Sequence, residues 1–231
     1  MSIASALADV RGRIERAAQA AGRDALLVKL VAVSKTKGPE AVREAYAAGQ
    51  RAFGENYAQE LATKAEALAD LADVEWHFIG HLQTNKARVV AKHAHVVHTV
   101  DSPALARELG KRASREARVV PLPVLIEVRV GGEAQKAGAA PSEIEEVMRA
   151  VQAEASLALR GLMTMPPADD LVAARGVFET LVSLRNLHGG PGVLPELSMG
   201  MPADLEVAVA CGATLVRVGT AIFGARDAPR G

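Results

Sequence analysis

The sequence predicts one α/β domain over residues 1–231, a (β/α)8 TIM barrel with an extra N-terminal helix. Apolar runs of strand length alternate eight times with amphipathic helical segments, a pattern typical of parallel α/β folds. The chain length is close to the roughly 250 residues of most such barrels. The first and last runs end in polar residues, Lys35 in one and Gly219 with Thr220 in the other. A closed barrel makes these two ends neighbours, whereas an open doubly wound sheet could place them far apart.

The first half of the chain contains an opening helix and four strand-helix units. The helix is expected over residues 2–21, because apolar residues recur at helical spacing from Ile3 to Ile14 and Gly22 ends the pattern. A helical pattern follows each apolar run, and the first of these begins at Pro39, where proline is favoured. The four strands are predicted at residues 26–34, 51–55, 75–80 and 95–100.

The second half of the chain continues the same alternation. After the fifth strand, a helix beginning near Ser142 carries four apolar residues on one face, Ile144, Val147, Met148 and Val151. Helical patterns also follow the sixth and seventh strands. The last four strands are predicted at residues 122–130, 157–165, 193–199 and 214–223.

Charge and cysteine content narrow the classes of function. Lys and Arg together number 27, as do Asp and Glu, so no basic excess indicates nucleic acid or an anionic membrane as a partner. No segment reaches the roughly 18 apolar residues of a membrane-spanning helix. The single cysteine, Cys211, excludes an internal disulfide and a cysteine-based metal site, which fits a reducing compartment. We therefore expect a cytoplasmic protein.

Two histidine clusters raise the question of a metal site. His77 and His81 form one cluster, and His93, His95 and His98 form the other. Neither is accompanied by a carboxylate or cysteine ligand at useful spacing. We therefore expect hydrogen-bonding or solvated histidines and no metal.

Lys35 is a candidate nucleophile at the end of the first predicted strand. It closes a run of Leu, Val and Ala and presents a primary amine where barrel proteins place their functional groups. Such an amine can form a Schiff base with a carbonyl compound. Alternatively, Lys35 extends its charge to the barrel rim, as its neighbour Lys37 can do. Spacing alone leaves both interpretations open.

Arg217 is expected to point into the barrel. It alternates with two valines in the last predicted strand, so its side chain lies on the opposite face from theirs. An interior guanidinium needs a partner, such as a ring nitrogen or an acid group of a ligand. A structural ion pair with Glu55, Glu127 or Glu196 is an equally reasonable alternative.

Potential phosphate-binding groups follow the last two predicted strands. Gly219 and Thr220 offer close backbone approach and a hydroxyl after strand eight, and Ser198 and Met199 lie in a turn after strand seven. Both pairs also have structural explanations, as a strand end or as packing residues of a tight turn. Together with the Lys35 amine, these groups suit a phosphorylated carbonyl cofactor, and pyridoxal 5′-phosphate is the candidate.

Two further residues are candidates because of where they lie. Asn56 follows the second strand, where its amide could bond a phenolic oxygen or cap the next helix, and capping is the simpler interpretation of this residue alone. Lys136 lies in a glycine-containing loop after strand five. It could reach the mouth of a pocket or remain solvated.

Six segments, in collinear order, resemble the pyridoxal phosphate homeostasis protein family, which includes bacterial proteins and the human proline synthetase co-transcribed homologue. The segments are residues 31–37, 53–57, 76–86, 161–165, 197–201 and 216–224. The resemblance extends over residues 1–226. It implies a barrel like the N-terminal domain of alanine racemase (fold type III of pyridoxal phosphate proteins), without that enzyme's second domain.

The resemblance also implies a role for each candidate residue. Lys35 would form the Schiff base and Arg217 would face the pyridine nitrogen. The remaining implied contacts are Ser198, Gly219 and Thr220 with the phosphate, Asn56 and Met199 with the ring, and Lys136 as a secondary contact. One departure concerns Pro202, which stands where the family usually has Ser or Thr and supplies neither a hydroxyl nor an N–H.

The implied function is that of a carrier or regulator that holds pyridoxal 5′-phosphate as a Schiff base and can release it to apo-enzymes. Arginine at the pyridine nitrogen weakens the cofactor as an electron sink. Neither Tyr46 nor Tyr57 is placed to act as a second acid/base. We therefore expect a protein without robust catalysis. We also expect it to be a monomer. The alternatives are a small pyridoxal phosphate-dependent amino-acid racemase and a cofactor-free Schiff-base aldolase, and the aldolase would give Arg217 no role.

Overall fold

Eight parallel strands form a closed barrel in the computed structural model, which describes residues 2–116, 118–131, 137–167 and 170–225. Each strand pairs with the next one in sequence, and the eighth pairs with the first. The predicted (β/α)8 barrel is confirmed. The strands are β1 (Lys29–Val33), β2 (Ala52–Glu55), β3 (Glu75–Phe78), β4 (Val96–Val100), β5 (Leu122–Glu127), β6 (Leu157–Met163), β7 (Glu196–Ser198) and β8 (Leu215–Val218).

Helices surround the barrel, and the predicted extra helix precedes β1. This helix, α1 (Ile3–Ala20), packs on α2, α9 and α10. The others are α2 (Pro39–Ala47), α3 (Ala58–Ala67), α4 (Ala87–His93), α5 (Pro103–Ala113), α6 (Ile144–Gln152), α7 (Leu171–Leu187), α8 (Gly190–Val193), α9 (Leu205–Cys211) and α10 (Thr220–Phe223). None of the helices described here is long and apolar enough to cross a membrane.

The core has two parts, one between the barrel and the helices and one inside the barrel. The outer part takes alternate residues of each strand, including Val216 and Val218 of β8. The inner part consists of Val31, Ala52, Val96, Leu125, Met163 and Leu215. Because side chains alternate along a strand, Arg217 shares the inner face of β8 with Leu215, as the sequence predicts.

The seam between β1 and β8 brings the two ends of the sequence together. Val31 pairs with Arg217 and Ala32 pairs with Val218. Gly219 follows directly, and a Cβ at this position would lie 3.1 Å from the Val33 carbonyl oxygen. Lys35 and the Gly219 turn therefore lie at the same rim of the barrel.

Several predicted strands are shorter in the structure. β1 begins at Lys29 because Ala25–Leu27 forms a 3-10 turn capped by the Asp24 carboxylate, which leaves Leu26 91% exposed. β8 ends at Val218, since the N–H groups of residues 222 and 223 donate to the Gly219 carbonyl and start α10. Helix α8 similarly occupies the beginning of the segment predicted as the seventh strand.

Candidate functional site

A cavity of about 260 Å³ lies at the carboxyl ends of the barrel strands. Its volume is slightly below the roughly 300–1,000 Å³ of typical ligand pockets, so it suits a small ligand. Lys35 and Arg217, from opposite ends of the sequence, both line it. The other lining residues are Val33, Thr36, Lys37, Asn56, Ile79, Met165, Met201, Pro202, Gly219, Thr220, Phe223 and Gly224.

Lys35 lies half-buried in a turn that directly follows β1. The next residue, Thr36, has a φ of 66°, a left-handed conformation that is unfavourable for a β-branched side chain. The Thr36 N–H donates to Glu60 Oε2 on α3 at 2.8 Å. Strained residues of this kind persist where surrounding contacts hold them, and they cluster at functional sites. Helix α3 thus helps to set the direction in which the Lys35 backbone leaves the strand.

A buried ion pair supports the same turn. Lys64 Nζ lies 2.7 Å from Glu55 Oε1 and donates to the Ser34 carbonyl at 2.7 Å. The Ser34 hydroxyl donates to the same Glu55 oxygen at 2.6 Å. Burial raises the pKa of the Glu55 carboxyl, and the contacts with Lys64 and Ser34 oppose that shift. These bonds connect β1, β2 and α3 at the residue that precedes Lys35.

Arg217 is almost fully buried, with 4% of its surface exposed. Nη1 donates to Ser198 Oγ at 2.6 Å, and Nη2 donates to the Thr164 carbonyl at 3.0 Å. Burial lowers the pKa of the guanidinium to about 10, while Glu127 and Asp204 oppose the shift. Arg217 therefore remains a cation at neutral pH and presents a positive charge to the cavity.

Two of the carboxylates considered as ion-pair partners for Arg217 are taken by other cations. Glu55 pairs with Lys64 at 2.7 Å, and Glu196 pairs with Arg160 at 3.3 Å. Arg217 instead donates to a hydroxyl and a carbonyl, which are neutral acceptors. Its charge is thus not neutralised by direct contact with either of these two carboxylates.

Glu127, the third carboxylate considered, makes no ion pair with Arg217 among the described contacts and acts on it through its electric field. It ends β5 and is 2% exposed, and its Oε2 has no hydrogen-bond partner among the described residues. Burial, followed by the neighbouring Asp101, raises the pKa of this carboxyl to about 7, and Arg217 opposes the shift. The interior next to the cavity therefore contains a carboxyl group that titrates near neutral pH.

The structure does not bring Ser198 and Met199 to the cavity surface. Both are fully buried, and Met199 packs in the core between the barrel and the helices. The chain turns at Gly200, whose φ of 99° is left-handed, and a Cβ there would lie 2.6 Å from Ala208. Met201, which follows this turn, lines the cavity instead.

Few backbone donors remain in the turn after β7. The Met201 N–H donates to Asp204 Oδ1 at 2.5 Å, and Pro202 has no N–H. The Pro202 carbonyl accepts from Arg13 Nη2 at 2.7 Å. Pro202 thus lines the cavity without offering a hydrogen-bond donor.

Asn56 lines the cavity and does not cap the next helix. Tyr57 occupies the N-cap position of α3, with no side-chain cap bond. Asn56 Oδ1 is buried and has no partner in the part of the chain that is described. Gly80 packs closely on this residue, since a Cβ at Gly80 would lie 2.0 Å from the Asn56 carbonyl oxygen. The capping interpretation is therefore wrong, and Asn56 leaves an unused acceptor at the cavity.

Gly219 and Thr220 line the cavity at the start of α10, at the rim where the barrel predicted from the sequence places them. The close approach of Gly219 to Val33 leaves little space for a side chain there. Lys136 lies outside the described residues, so its secondary contact stays a prediction.

His77 and His98 lie inside the barrel and bond to each other, His77 Nδ1 to His98 Nε2 at 2.8 Å. Burial, together with His77 and Arg217, lowers the pKa of His98 well below its usual range, so its ring is neutral. The prediction of hydrogen-bonding histidines is confirmed for this pair. Within the described ranges, no three potential ligand side chains are grouped as a metal site.

Sequence reasoning missed the residues that support Lys35 from helix α3. Glu60 and Lys64 lie one helical turn apart in an amphipathic segment, where charged residues usually face solvent. Only Lys64 is unusual, because it is 4% exposed and faces Glu55. The available signal was the single glutamate in the second strand, since a buried carboxylate requires a nearby cation.

The fold and the site define a class, that of barrels like the N-terminal domain of alanine racemase with an amine and a guanidinium in one cavity. The family model of that domain, described as "Alanine racemase, N-terminal domain", matches residues 6–227. Within this class, the chain belongs to the pyridoxal phosphate homeostasis protein family. The evidence is its 50% identity with the pyridoxal phosphate homeostasis protein of Pseudomonas aeruginosa, over 98% of this chain and 96% of that protein.

Two solved structures are similar to the chain in fold. PipY of Synechococcus elongatus, solved with pyridoxal phosphate bound, is 37% identical with a TM-score of 0.82, over 96% of this chain and all of that one. Alanine racemase of Corynebacterium glutamicum is 21% identical with a TM-score of 0.67, and the match covers 94% of this chain and 61% of the racemase. The second likeness concerns the fold alone.

Proposed function

We propose that this chain binds pyridoxal 5′-phosphate as a Schiff base on Lys35 and serves as a carrier or regulator of the cofactor without robust catalysis. The observation that carries the proposal is the presence of Lys35 and Arg217 in one small cavity at the barrel rim. The relatives support it, since the Pseudomonas aeruginosa protein is named for pyridoxal phosphate homeostasis and the PipY structure has the cofactor bound.

The residues at the cavity fit the chemical groups of this cofactor. When bound, pyridoxal phosphate supplies an aldehyde that condenses with a primary amine, and Lys35 provides that amine. The buried and unpaired Asn56 Oδ1 can accept a hydrogen bond from a ring hydroxyl. Arg217 can donate to an unprotonated ring nitrogen. The cavity thus offers one complementary side chain for each of three chemical groups of the cofactor, which are the aldehyde, the ring hydroxyl and the ring nitrogen.

The phosphate is best held from the β8 side of the cavity. Gly219 allows the backbone to approach a ligand closely, and Thr220 adds a hydroxyl at the start of α10. The opposite turn contributes less, because the Met201 N–H is taken by Asp204 and Pro202 has none. Thr220 is therefore our principal phosphate contact, and we assign Ser198 no direct one.

The lack of a tyrosine among the described residues that line the cavity supports a binding protein over a racemase. The chain has two tyrosines, and neither lines the cavity. Tyr46 Oη donates to Asp73 on the outside of the barrel, and Tyr57 is 53% exposed. Arg217 also remains a cation, which discourages protonation of the ring nitrogen and weakens the cofactor as an electron sink.

Four further statements belong to the same proposal. The chain is one domain and a monomer, which light scattering should show as a mass of 24.2 kDa. It is cytoplasmic, in keeping with its single cysteine. Its macromolecular partners are pyridoxal phosphate-dependent apo-enzymes, and its balanced charge argues against nucleic acid.

A titration with pyridoxal phosphate tests the proposal. The absorbance band of the Schiff base should develop with wild type and should be absent with Lys35→Arg. Lys37 also lines the cavity, and its amine donates to the Ala225 carbonyl at 2.7 Å, so Lys37→Arg decides which amine reacts. Lys111→Arg, at an exposed position of α5, is the matched control.

The same samples should be assayed for turnover of amino acids. We expect no racemisation or transamination above the rate of free pyridoxal phosphate. A band retained in Lys35→Arg would contradict the covalent assignment. Rapid turnover by wild type would contradict the carrier role and favour the racemase.

A further inference from the structure

A chain of polar side chains runs through the barrel from Arg217 to the opposite rim. Arg217 Nη1 donates to Ser198 Oγ at 2.6 Å, and this oxygen lies 2.8 Å from His98 Nδ1. His98 Nε2 lies 2.8 Å from His77 Nδ1. His77 Nε2 then lies 3.4 Å from Glu75 Oε1, an ion-pair distance, and makes no hydrogen bond among the described residues. The chain thus links β8, β7, β4 and β3.

The far end of the chain is an ionised carboxylate. Glu75 is the first residue of β3, and its Oε2 lies 2.8 Å from Nζ of Lys29, the first residue of β1. Contact with His77 and with Lys29 lowers the pKa of Glu75 to about 2, against the effect of burial. The chain therefore has a cation at the cavity and an anion at the amino-terminal rim.

Only one arrangement of hydrogens gives each donor from Arg217 to His98 an acceptor. Ser198 Oγ accepts from Arg217, so its own hydrogen must go to His98 Nδ1. The neutral His98 then carries its proton on Nε2 and donates to His77 Nδ1. His77 in turn carries its proton on Nε2, directed at the Glu75 carboxylate. The reverse order would leave the Ser198 hydroxyl without an acceptor and would point a ring lone pair at Glu75.

We propose that Ser198, His98 and His77 are positioning residues that hold the Arg217 guanidinium against the ligand in the cavity. They do so through a chain of hydrogen bonds in which each residue donates to the next, from Arg217 to His77. The proposal rests on the proposed function, in which Arg217 faces the pyridine nitrogen. It also gives Ser198 a role that replaces direct phosphate binding, because both its donor and an acceptor site are already occupied.

This series of hydrogen bonds matters because the side chain of an arginine has many conformations of similar energy. Ser198 takes one hydrogen from Nη1, and the Thr164 carbonyl takes one from Nη2, so the plane of the guanidinium is defined from two sides. Its other N–H groups remain for the ligand. A hydroxyl that is itself held by His98 cannot rotate away, which keeps the cationic donor in place before the ligand arrives.

The direction of the chain can be measured in the ligand-free protein. Nitrogen-15 labelling of histidine distinguishes protonated from unprotonated ring nitrogens by their chemical shifts. We expect both His77 and His98 to be protonated on Nε2 and unprotonated on Nδ1. His95 is an internal reference of the same tautomer, because its Nδ1 accepts the Trp76 N–H at 2.9 Å. Protonation of either His77 or His98 on Nδ1 would overturn the proposal.

Variants of Ser198 test whether the chain positions Arg217. Ser198→Ala should weaken the binding of pyridoxal phosphate about tenfold, the loss of one hydrogen bond to a charged group, and should shift the His98 Nδ1 resonance. Ser198→Thr keeps the hydroxyl and should restore both readouts. Ser156→Ala, which removes a hydroxyl bonded to the Gly110 carbonyl away from the cavity, is the matched control.

The outcomes separate this proposal from the proposed function. Unchanged affinity in Ser198→Ala, with the wild-type tautomers as expected, would show that the chain exists but does not position Arg217, and would overturn the proposal. If wild type bound no pyridoxal phosphate, the proposed function would fail, while the tautomers would still decide the direction of the chain. If Ser198→Ala did not fold, the wild-type histidines would still test the proposal, because a proton on Nδ1 of either His77 or His98 would overturn it.

Discussion

Arg217 keeps a cation inside the barrel, and none of the carboxylates in the described part of the chain forms an ion pair with it. Its nearest acceptors are the Ser198 hydroxyl and the Thr164 carbonyl, and the field of Glu127 adds to their effect. Burial disfavours the charged form of Glu127, and it raises the pKa of this carboxyl to about 7. The charge of each group therefore affects the pKa of the other. The titration of Glu127 can be tested by substituting this residue alone.

Glu127→Gln should stabilise the protein at high pH. The folded state raises the pKa of Glu127 from its usual 4.5 to about 7, so the folded state binds this proton more tightly than the unfolded state. The contribution to stability is present at low pH and is lost as the pH rises through that window, by about 3 kcal/mol in total. Chemical denaturation at a series of pH values should show that the free energy of unfolding of the variant, relative to that of wild type, increases by this amount as the pH rises.

The control for this experiment is Glu146→Gln, at an exposed position of α6. Its stability profile should run parallel to that of wild type. A Glu127→Gln profile that also ran parallel to wild type across the whole range would contradict the account of a buried, neutralised carboxyl.

At the scale of single elements, the turn after β1 carries the strain of the site. Thr36 is left-handed and is held by Glu60. Thr36→Gly should raise the free energy of unfolding by about 1 kcal/mol, because relief of the left-handed strain exceeds the added entropy of the unfolded chain. Urea denaturation measures this, with Thr63→Gly on the exposed face of α3 as the opposite control, which should destabilise. Destabilisation by both changes would rule out strain at Thr36.

The buried pair of Lys64 and Glu55 should behave as a coupled unit between α3 and β2. Lys64→Met leaves Glu55 buried without its cation and should cost about 3 to 5 kcal/mol of stability. Adding Glu55→Gln should recover much of that loss, because the uncompensated carboxylate is then gone. A double-mutant cycle on unfolding free energies checks this prediction, and strict additivity of the two changes would refute it.

At the scale of the whole molecule, closure of the barrel depends on close strand contacts. A Cβ at Gly161 in β6 would lie 1.8 Å from the Glu196 carbonyl oxygen of the neighbouring strand, a contact that only backbone movement can relieve. Gly161→Ala should therefore lower the free energy of unfolding by more than about 3 kcal/mol. Gly176→Ala, in α7 with no atom within 4 Å of a new Cβ, should stabilise by about 1 kcal/mol. Similar thermal unfolding of the two variants would contradict the strand register described here.

The barrel and the inward direction of Arg217 could be predicted because they follow from periodicity along the chain. The supports of the site could not, since they depend on contacts between distant elements. Nothing local marks Lys64 as buried, and nothing in Thr36 indicates a φ of 66°. The contact of Ser198 with the phosphate stays a prediction, and the turn at Gly200, which brings Met201 to the cavity, could not be read from the sequence.

The central claim is that one amine of this chain, that of Lys35, binds the cofactor covalently. The direct measurement is reduction of the complex with borohydride, followed by proteolysis and mass spectrometry of the labelled peptide. We predict a single pyridoxyl label on Lys35. A label on Lys37 or another lysine, or no label after reduction, would contradict the account.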